Sequence, residues 1–320
     1  AEAAAPPAEA AAPTAEAAAP AEADGGAEQP AESRGKGGKR RGRKGPGKCE
    51  EQVMNHRKRN RACLEKYREL MLGMAKEPGI DMIFGANDGV QFEPAIHIGY
   101  WKRVPHHTRV LVEPVPPLFS KLSRNLANLS TPPVFINKAV KIDATASSDF
   151  LDLYCWDTAM VDEWVLNGRT PLPKEVRRPE GYWNALCSTE KQQLMGRAHV
   201  LDTPAYRELP LEEKQRVLSE VEAFVQLHHV PAATPEEMIL EVAARGGLSA
   251  GGINYVQVDV EALDKLIVLS LPFGRHDFLP KVVLWEGCYA DSEFELLSKH
   301  GYESCCCVNI YGANTLAYQP

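Results

Sequence analysis

Residues 80–94, IDMIFGANDGVQFEP, join an apolar run to a loop with two glycines and then to a polar segment that reads as a helix start. In open α/β sheets ligands sit at the carboxyl ends of the strands, and the first strand-loop-helix unit is where a nucleotide is usually met. Gly85 to Gly89 occupies that place. A pyrophosphate fingerprint needs glycines at 85, 87 and 90, the second for close backbone approach and the third for helix packing. The chain instead has Asn87 and Val90, and Asn87 and Asp88 set side chains, one of them anionic, where phosphates would lie. Glu113 ends the run RVLVE, 24 residues past Gly89. From that position an acid accepts hydrogen bonds from both ribose hydroxyls. Taken singly, such a loop is an ordinary tight turn and such a Glu a solvated strand end. Together, in this order and spacing, they imply a ribose without a diphosphate.

Other chemistry-bearing residues give weaker signals. His97, His106, His107, His199, His228, His229 and His276 show no spacing that compels a role, and most are expected at the surface. GLSAG, 247–251, satisfies G-x-S-x-G, but a helical pattern precedes it and a strand-like run follows, the reverse of what a hydrolase elbow needs. The eight cysteines (49, 63, 155, 187, 288, 305, 306 and 307) lack the dense spacing of a stapled secreted domain and contain no C-x-x-C pair. Reduced thiols are expected, with Cys305 to Cys307 as small core residues, which leans toward a cytoplasmic setting. The compartment stays open, because NLS at 128–130 is a glycosylation sequon that has meaning only in a secretory lumen.

The elements that must position these groups follow from composition and periodicity. Residues 1–33 are almost wholly Ala, Glu and Pro, with nothing apolar enough to repay the entropy of folding, and are expected to be disordered. RGKGGKRRGRKGPGK, 34–48, is a basic Gly-rich arm able to neutralise phosphates, with no aromatic residue to stack on bases. The whole chain carries −7; removing the eight bases and seven acids of residues 1–48 leaves 28 bases and 36 acids, a net −8, so nucleic acid is a partner only through the tail. No apolar stretch is long enough to span a bilayer. The chain begins with Ala, so a preceding segment stays open.

From residue 49 to 77 the pattern is helical, with Val53, Leu64, Leu70, Met71 and Met74 as its apolar face and Pro78-Gly79 as its end. Strand-like runs then alternate with helices: IDMIF, RVLVEP, VFINKAV, NYVQVDV and KVVLWEG. That order predicts a mostly parallel, doubly wound sheet. Leu118, Phe119, Leu122, Leu126 and Leu129 stripe one helix, entered through Pro116-Pro117. TPEEMILEVAARGG shows a capping box of Thr234 and Glu237, Pro235 at the first helical position and Gly246 as terminator. SCCCVNIYGANTLAYQ reads as a closing antiparallel hairpin turning at Gly312/Asn314.

IFGANDGV, RVLVEPVPPLFSKLSRNL, FINKAV, YVQVDVEALD, LPKVVLWE and KHGYE resemble, in order, the blocks of the FkbM-type methyltransferase family, over about residues 80–318. The resemblance implies a Rossmann-like class I methyltransferase fold over 49–320, with 145–232 as a substrate-side insertion. It also implies an O-methyltransferase that uses S-adenosylmethionine, whose ribose, cationic sulfonium and amino-acid tail meet the description above. Gly85, Ala86, Asn87, Asp88 and Gly89 would line its methionine end, Glu113 would hold the ribose, and Asn137 would sit beside the adenine. Asp259 is the first candidate for base or orienter of the acceptor hydroxyl and Glu261 the second, with Ser188 and Glu286 on the substrate side. WNALCSTEKQQL, which carries Ser188, looks like a weaker family block. Two departures stand out: Ile83 where the family has an acid, with Asp81 or Glu93 as substitutes, and Ala262 where it has glycine. Some members hold a divalent cation near such carboxylates, so Mg2+ stays open, and no structural metal is inferred. Trp156, Trp164, Tyr182 and Trp183 in the insertion are expected to shape the acceptor pocket or to fill a core. The readings carried forward are methyl transfer to a hydroxyl of a small molecule or glycan, a catalytically weakened methyltransferase-like binding module, and an RNA-directed methyltransferase that uses the basic tail.

Overall fold

The computed structural model describes residues 48–89, 104–142, 148–157, 159–160, 163, 187–196, 204–245, 248–260, 263–287, 291–306 and 314–320. In chain order the elements that matter here are α1 (Lys48–Met74), β1 (Ile80–Phe84), β2 (Thr108–Val112), α2 (Pro116–Asn125), β3 (Val134–Ile136), β4 (Ala139–Val140), β5 (Phe150–Trp156), β6 (Cys187–Ser188) and α3 (Lys191–Gly196). They continue with α4 (Leu211–Glu222), β7 (Val225–Ala233), α5 (Pro235–Ala244), β8 (Ile253–Val258), α6 (Asp264–Ser270), β9 (Val282–Glu286), α7 (Asp291–Lys299), β10 (Glu303–Cys306) and β11 (Asn314–Tyr318).

Seven strands form the central sheet in the order β10-β11-β9-β8-β1-β2-β3. The pairs from β9 to β3 are parallel, whereas β11 runs antiparallel to both β9 and β10. The result is a mixed α/β architecture with a mostly parallel sheet, compatible with a Rossmann-like fold. The turn expected at 312–314 lies largely outside the described residues, and Asn314 opens β11 rather than sitting in that turn.

Parallel strands covered on both faces are apolar throughout, and the alternation of side chains sorts them into two cores. Met82 and Phe84 of β1 join Val110, Val112, Val256 and Val258 on one face. Ile83 joins Leu111, Tyr255 and Leu284 on the other, beneath α1. The buried face of α1 is Cys63, Tyr67, Met71 and Met74, one side of a 3.6-residue helix. Leu64 and Leu70, expected on that face, flank it half-buried, and the Val53 side chain lies outside the described residues. Three polar contacts are sealed into this side. The Tyr67 hydroxyl meets that of Tyr255 at 3.2 Å, and Tyr255 donates to Gln257 at 2.9 Å. His107 Nδ1 lies 3.1 Å from Asp81 Oδ1, both side chains fully buried. Burial opposes a charged imidazole there, but the bond and charge of Asp81 and the carbonyls of Glu77 and Met74 outweigh it and raise the His107 pKa. His107 is therefore a core group, an exception among histidines most of which were expected at the surface.

The run VFINKAV does not form one strand. It splits into β3 in the central sheet and β4 in a second, four-stranded sheet of order β4-β7-β5-β6. Sequence reading passed over β5 and β7, which pair antiparallel along their length from Phe150↔Pro231 to Trp156↔Val225. The capping box of α5 forms as expected: Glu237 N–H donates to Thr234 Oγ1 at 3.2 Å, and Thr234 N–H donates to Glu237 Oε2 at 2.7 Å.

The expectation of reduced thiols is overturned for four cysteines. Cys63 of α1 is bonded to Cys305 of β10, and Cys155 of β5 to Cys187 of β6. Cys305 is thus a cross-link rather than a small core residue. Spacing gave no hint, because the first bridge spans 242 residues and only the sheet order brings its ends together. A loop that long, closed in the unfolded chain, is worth roughly 5 kcal/mol in the chain-entropy account. Cys63→Ala is accordingly expected to lower the unfolding free energy by about 2–5 kcal/mol, read from the urea midpoint; an unmoved midpoint would show that the bridge does not form.

Candidate functional site

The chain runs from β1 outward to β2 and β3, then returns to place β8 on the other flank of β1. Between β1 and β8 the winding reverses, and ligands of open α/β sheets bind outside the carboxyl ends at such a point. A cleft open to solvent lies there.

Its rim is zipped by backbone bonds. Gly85 and Ala86 N–H both donate to the Val112 carbonyl at 3.0 Å, Glu113 N–H donates to Ile136 O at 3.1 Å, and Asp259 N–H donates to Phe84 O at 3.0 Å. Gly85 is obligatory: its φ is +80°, and a Cβ would lie 1.8 Å from the Asp259 carbonyl oxygen. Asn87 follows with φ +50°, a left-handed conformation that Asn tolerates, and its side-chain oxygen accepts from Asp88 N–H at 2.7 Å.

Glu113 is 4% exposed. Its Oε2 accepts from Asn87 N–H and its Oε1 from Val115 N–H, both at 2.9 Å. Burial pushes the carboxyl up to about 7, against the pull of the Val115 and Asn87 amides and with a further push from the Asp88 charge. An ionised carboxylate offers roughly four acceptor sites, so two amide bonds leave capacity for two hydroxyls.

Of the expected cofactor residues, Gly85, Asn87 and Glu113 line the cleft. The others hold the loop. Ala86 is buried in the core under α1, the Asp88 carbonyl accepts from Asn125 Nδ2 at 2.9 Å, and a Cβ on Gly89 would strike Leu122 and Leu126 at 2.6 and 2.9 Å. Asn137 Nδ2 donates to the carbonyls of Glu113 and Pro114 at 2.8 and 3.0 Å, clamping β3 to β2 while Lys138, Ala139 and Val140 line the cleft.

Asp259, half-buried at the end of β8, faces the cleft, as does Ser188, whose hydroxyl accepts from Glu190 N–H at 3.1 Å. Glu286 is not brought there: it is exposed at the end of β9, opposite Asn314. Glu261, Ala262, Glu93, Trp164, Tyr182 and Trp183 lie outside the described residues. Trp156 is a buried core residue, 4% exposed. Asp81 is no substitute for an acid at Ile83, since it is spent on His107 at the far end of β1, and Ile83 itself points into the core under α1. Among the described residues no three His, Cys, Asp or Glu side chains converge on a metal position.

Sequence reading missed the far wall. Leu151 and Leu153 of β5, Cys187 of the bridge, and Thr189 and Gln193 beyond Ser188 complete it. The period-two order of Leu151, Leu153 and Cys155 was the available signal. The lining holds two acids and one base. Glu113 and Asp259 are its acids, and Lys138, its one cation among the described residues, is engaged by Glu241 at 2.7 Å.

The chain matches no family model, no curated protein and no solved structure.

Glu113 yields a stability test. Its folded pKa of about 7 stands above the ordinary 4.5, so its stabilising contribution is full below pH 4.5 and lost as pH rises through 7. Between those limits the wild type should lose about 3 kcal/mol relative to Glu113→Gln, measured by urea unfolding of both proteins at pH 5 and pH 8. A constant difference would show that the carboxyl is not desolvated.

Proposed function

We propose that the cleft binds S-adenosylmethionine and that the chain transfers its methyl group to a hydroxyl of a small molecule or glycan. The observation that carries this reading is Glu113: a buried carboxylate at the end of the second strand, anchored by two amides and turned toward a cleft bounded by Gly85, Asn87 and Asp259. A carboxylate so placed receives ribose hydroxyls. The acidic lining opposes a diphosphate and favours a cation. The donor supplies an activated methyl carbon and a neutral thioether as leaving group.

The chain's own residues then have distinct work. Gly85, with no Cβ to strike the Asp259 carbonyl, lets the end of β8 close against the first loop and so brings Asp259 to the cleft. Asp259, two strands over from Glu113 with β1 between them, orients the acceptor hydroxyl and takes its proton as the oxygen attacks. Ser188, Thr189 and Gln193 give the acceptor polar partners, and Leu151 with Leu153 gives it an apolar wall that excludes water. Positioning supplies most of the rate, as expected for an in-line displacement.

Isothermal titration with S-adenosylmethionine tests the first half. Wild type should bind, more weakly as pH falls below about 7 and Glu113 gains its proton, and Glu113→Gln should lose about 10- to 100-fold, the worth of hydrogen bonds to a charged group. The absence of binding heat from wild type at millimolar ligand would sink the reading. Asp259→Asn tests the second half: at saturating cofactor, turnover should fall by about 10²–10⁴-fold in a radiolabelled-methyl assay on fractionated extract, the saturation offsetting the weaker hold on a cation that loss of one acid brings.

A further inference from the structure

We infer that Asn128 is an N-glycosylation site and that the chain folds in an oxidising secretory lumen; this stands apart from the methyl-transfer reading. Asn128-Leu129-Ser130 is the one N-x-S/T sequon in the 320 residues, with no proline at the middle position or after the serine. Alone, such a tripeptide is frequent by chance. Its place in the fold is the first support: the sequon lies past the end of α2, in the irregular segment before β3, with Asn128 and Ser130 both exposed. A glycan is bulky and needs a surface loop.

The two bridges are the second and independent support. Cys63–Cys305 and Cys155–Cys187 tie together residues 242 and 32 apart in sequence, with Cα atoms 5.9 and 4.3 Å apart, within or at the edge of what a bridge spans. Disulfides persist in lumenal and extracellular proteins and are rare where glutathione keeps thiols reduced. Forming each one removes two protons and two electrons, which a lumenal thiol-disulfide oxidase accepts. Sequon and bridges therefore select the same compartment by unrelated chemistry.

In the modification, the Asn128 side-chain nitrogen attacks the anomeric carbon of a lipid diphosphate-linked oligosaccharide. The C–N bond forms, the C–O bond to the diphosphate breaks, the lipid diphosphate leaves, and the amide proton passes to the transferase. The folded chain leaves room for the product. Thr131 Oγ1 donates to the Pro105 carbonyl, in the turn that leads into β2. That bond ties the loop to the edge where strands enter, whereas the cleft lies at the edge where they end.

The test uses full-length protein from its own cells, digested with trypsin and then treated with peptide N-glycosidase in ¹⁸O water. Asn128 should become ¹⁸O-labelled aspartate in the peptide 125–138, and before reduction the Cys63 and Cys305 peptides should travel as one. An unmodified 125–138 peptide overturns the proposal whether or not the bridges are found. In a secreting host, Asn128→Gln and Ser130→Ala should each abolish the glycosidase-sensitive gel shift and Ser130→Thr should keep it. A shift that survives in either of the first two would place the glycan elsewhere and overturn the assignment.

Discussion

The architecture of the site depends on one carboxylate holding two backbone amides. Glu113 receives Asn87 N–H from the loop after β1 and Val115 N–H from the turn after β2. Neither amide belongs to a strand ladder, and both lie where a buried donor without a partner would cost about 1–3 kcal/mol. The same side chain thus fixes the left-handed kink at Asn87, sets the exit of β2 toward α2, and lines the cleft. A glutamine could accept with only one oxygen. An aspartate, one methylene shorter, could not reach both amides from the same backbone position.

What Glu113 organises on one flank, Gly85 permits on the other. Its missing Cβ lets β8 close against the first loop, so that Asp259 N–H reaches Phe84 O at 3.0 Å. The two acids therefore end up on opposite sides of β1 by consequence of sheet order rather than of sequence proximity. The second sheet then closes the cleft from outside. β6 is only two residues long, too short to hold itself by ladder bonds, and the Cys155–Cys187 bridge ties it to β5. That tie positions Ser188 and Thr189 as part of a wall.

The legible parts of the sequence were those written in local patterns. The loop at 85–89, the acid at 113, the capping box at 234–237 and the parallel order of the central strands all depend on residues a few positions apart or on period. Glu113 was found because its spacing from the loop is a property of the strand-helix-strand unit. The illegible parts depend on long-range pairing. VFINKAV looks continuous, but Asn137 between its halves bonds the Glu113 and Pro114 carbonyls just past the end of β2, and β4 joins a different sheet. The bridges link elements that meet only after the sheet has formed. Asp88 and Gly89 sit in the motif but do not line the cleft: the Asp88 carbonyl accepts from Asn125, and Gly89 packs where a Cβ would strike Leu122 and Leu126. Glu286 looked equivalent to Asp259 as a strand-end acid, but it is exposed at the end of β9.

Charge connects these elements to what the cleft can hold. Glu113 is raised to about 7 chiefly by burial, with Asp88 adding to the push, so near neutral pH its ionisation is an unmet cost of the folded state. A neutral or anionic ligand would leave that cost in place or increase it. A cation seated in the cleft between Glu113 and Asp259 would lower it, stabilise the ionised carboxylate, and so strengthen the hydrogen bonds that carboxylate can offer to hydroxyls of the same ligand. Hydroxyl recognition and positive charge are therefore coupled through one side chain. A ligand with both features would gain more than the two separately, which is why a cationic nucleoside is proposed here over a dinucleotide.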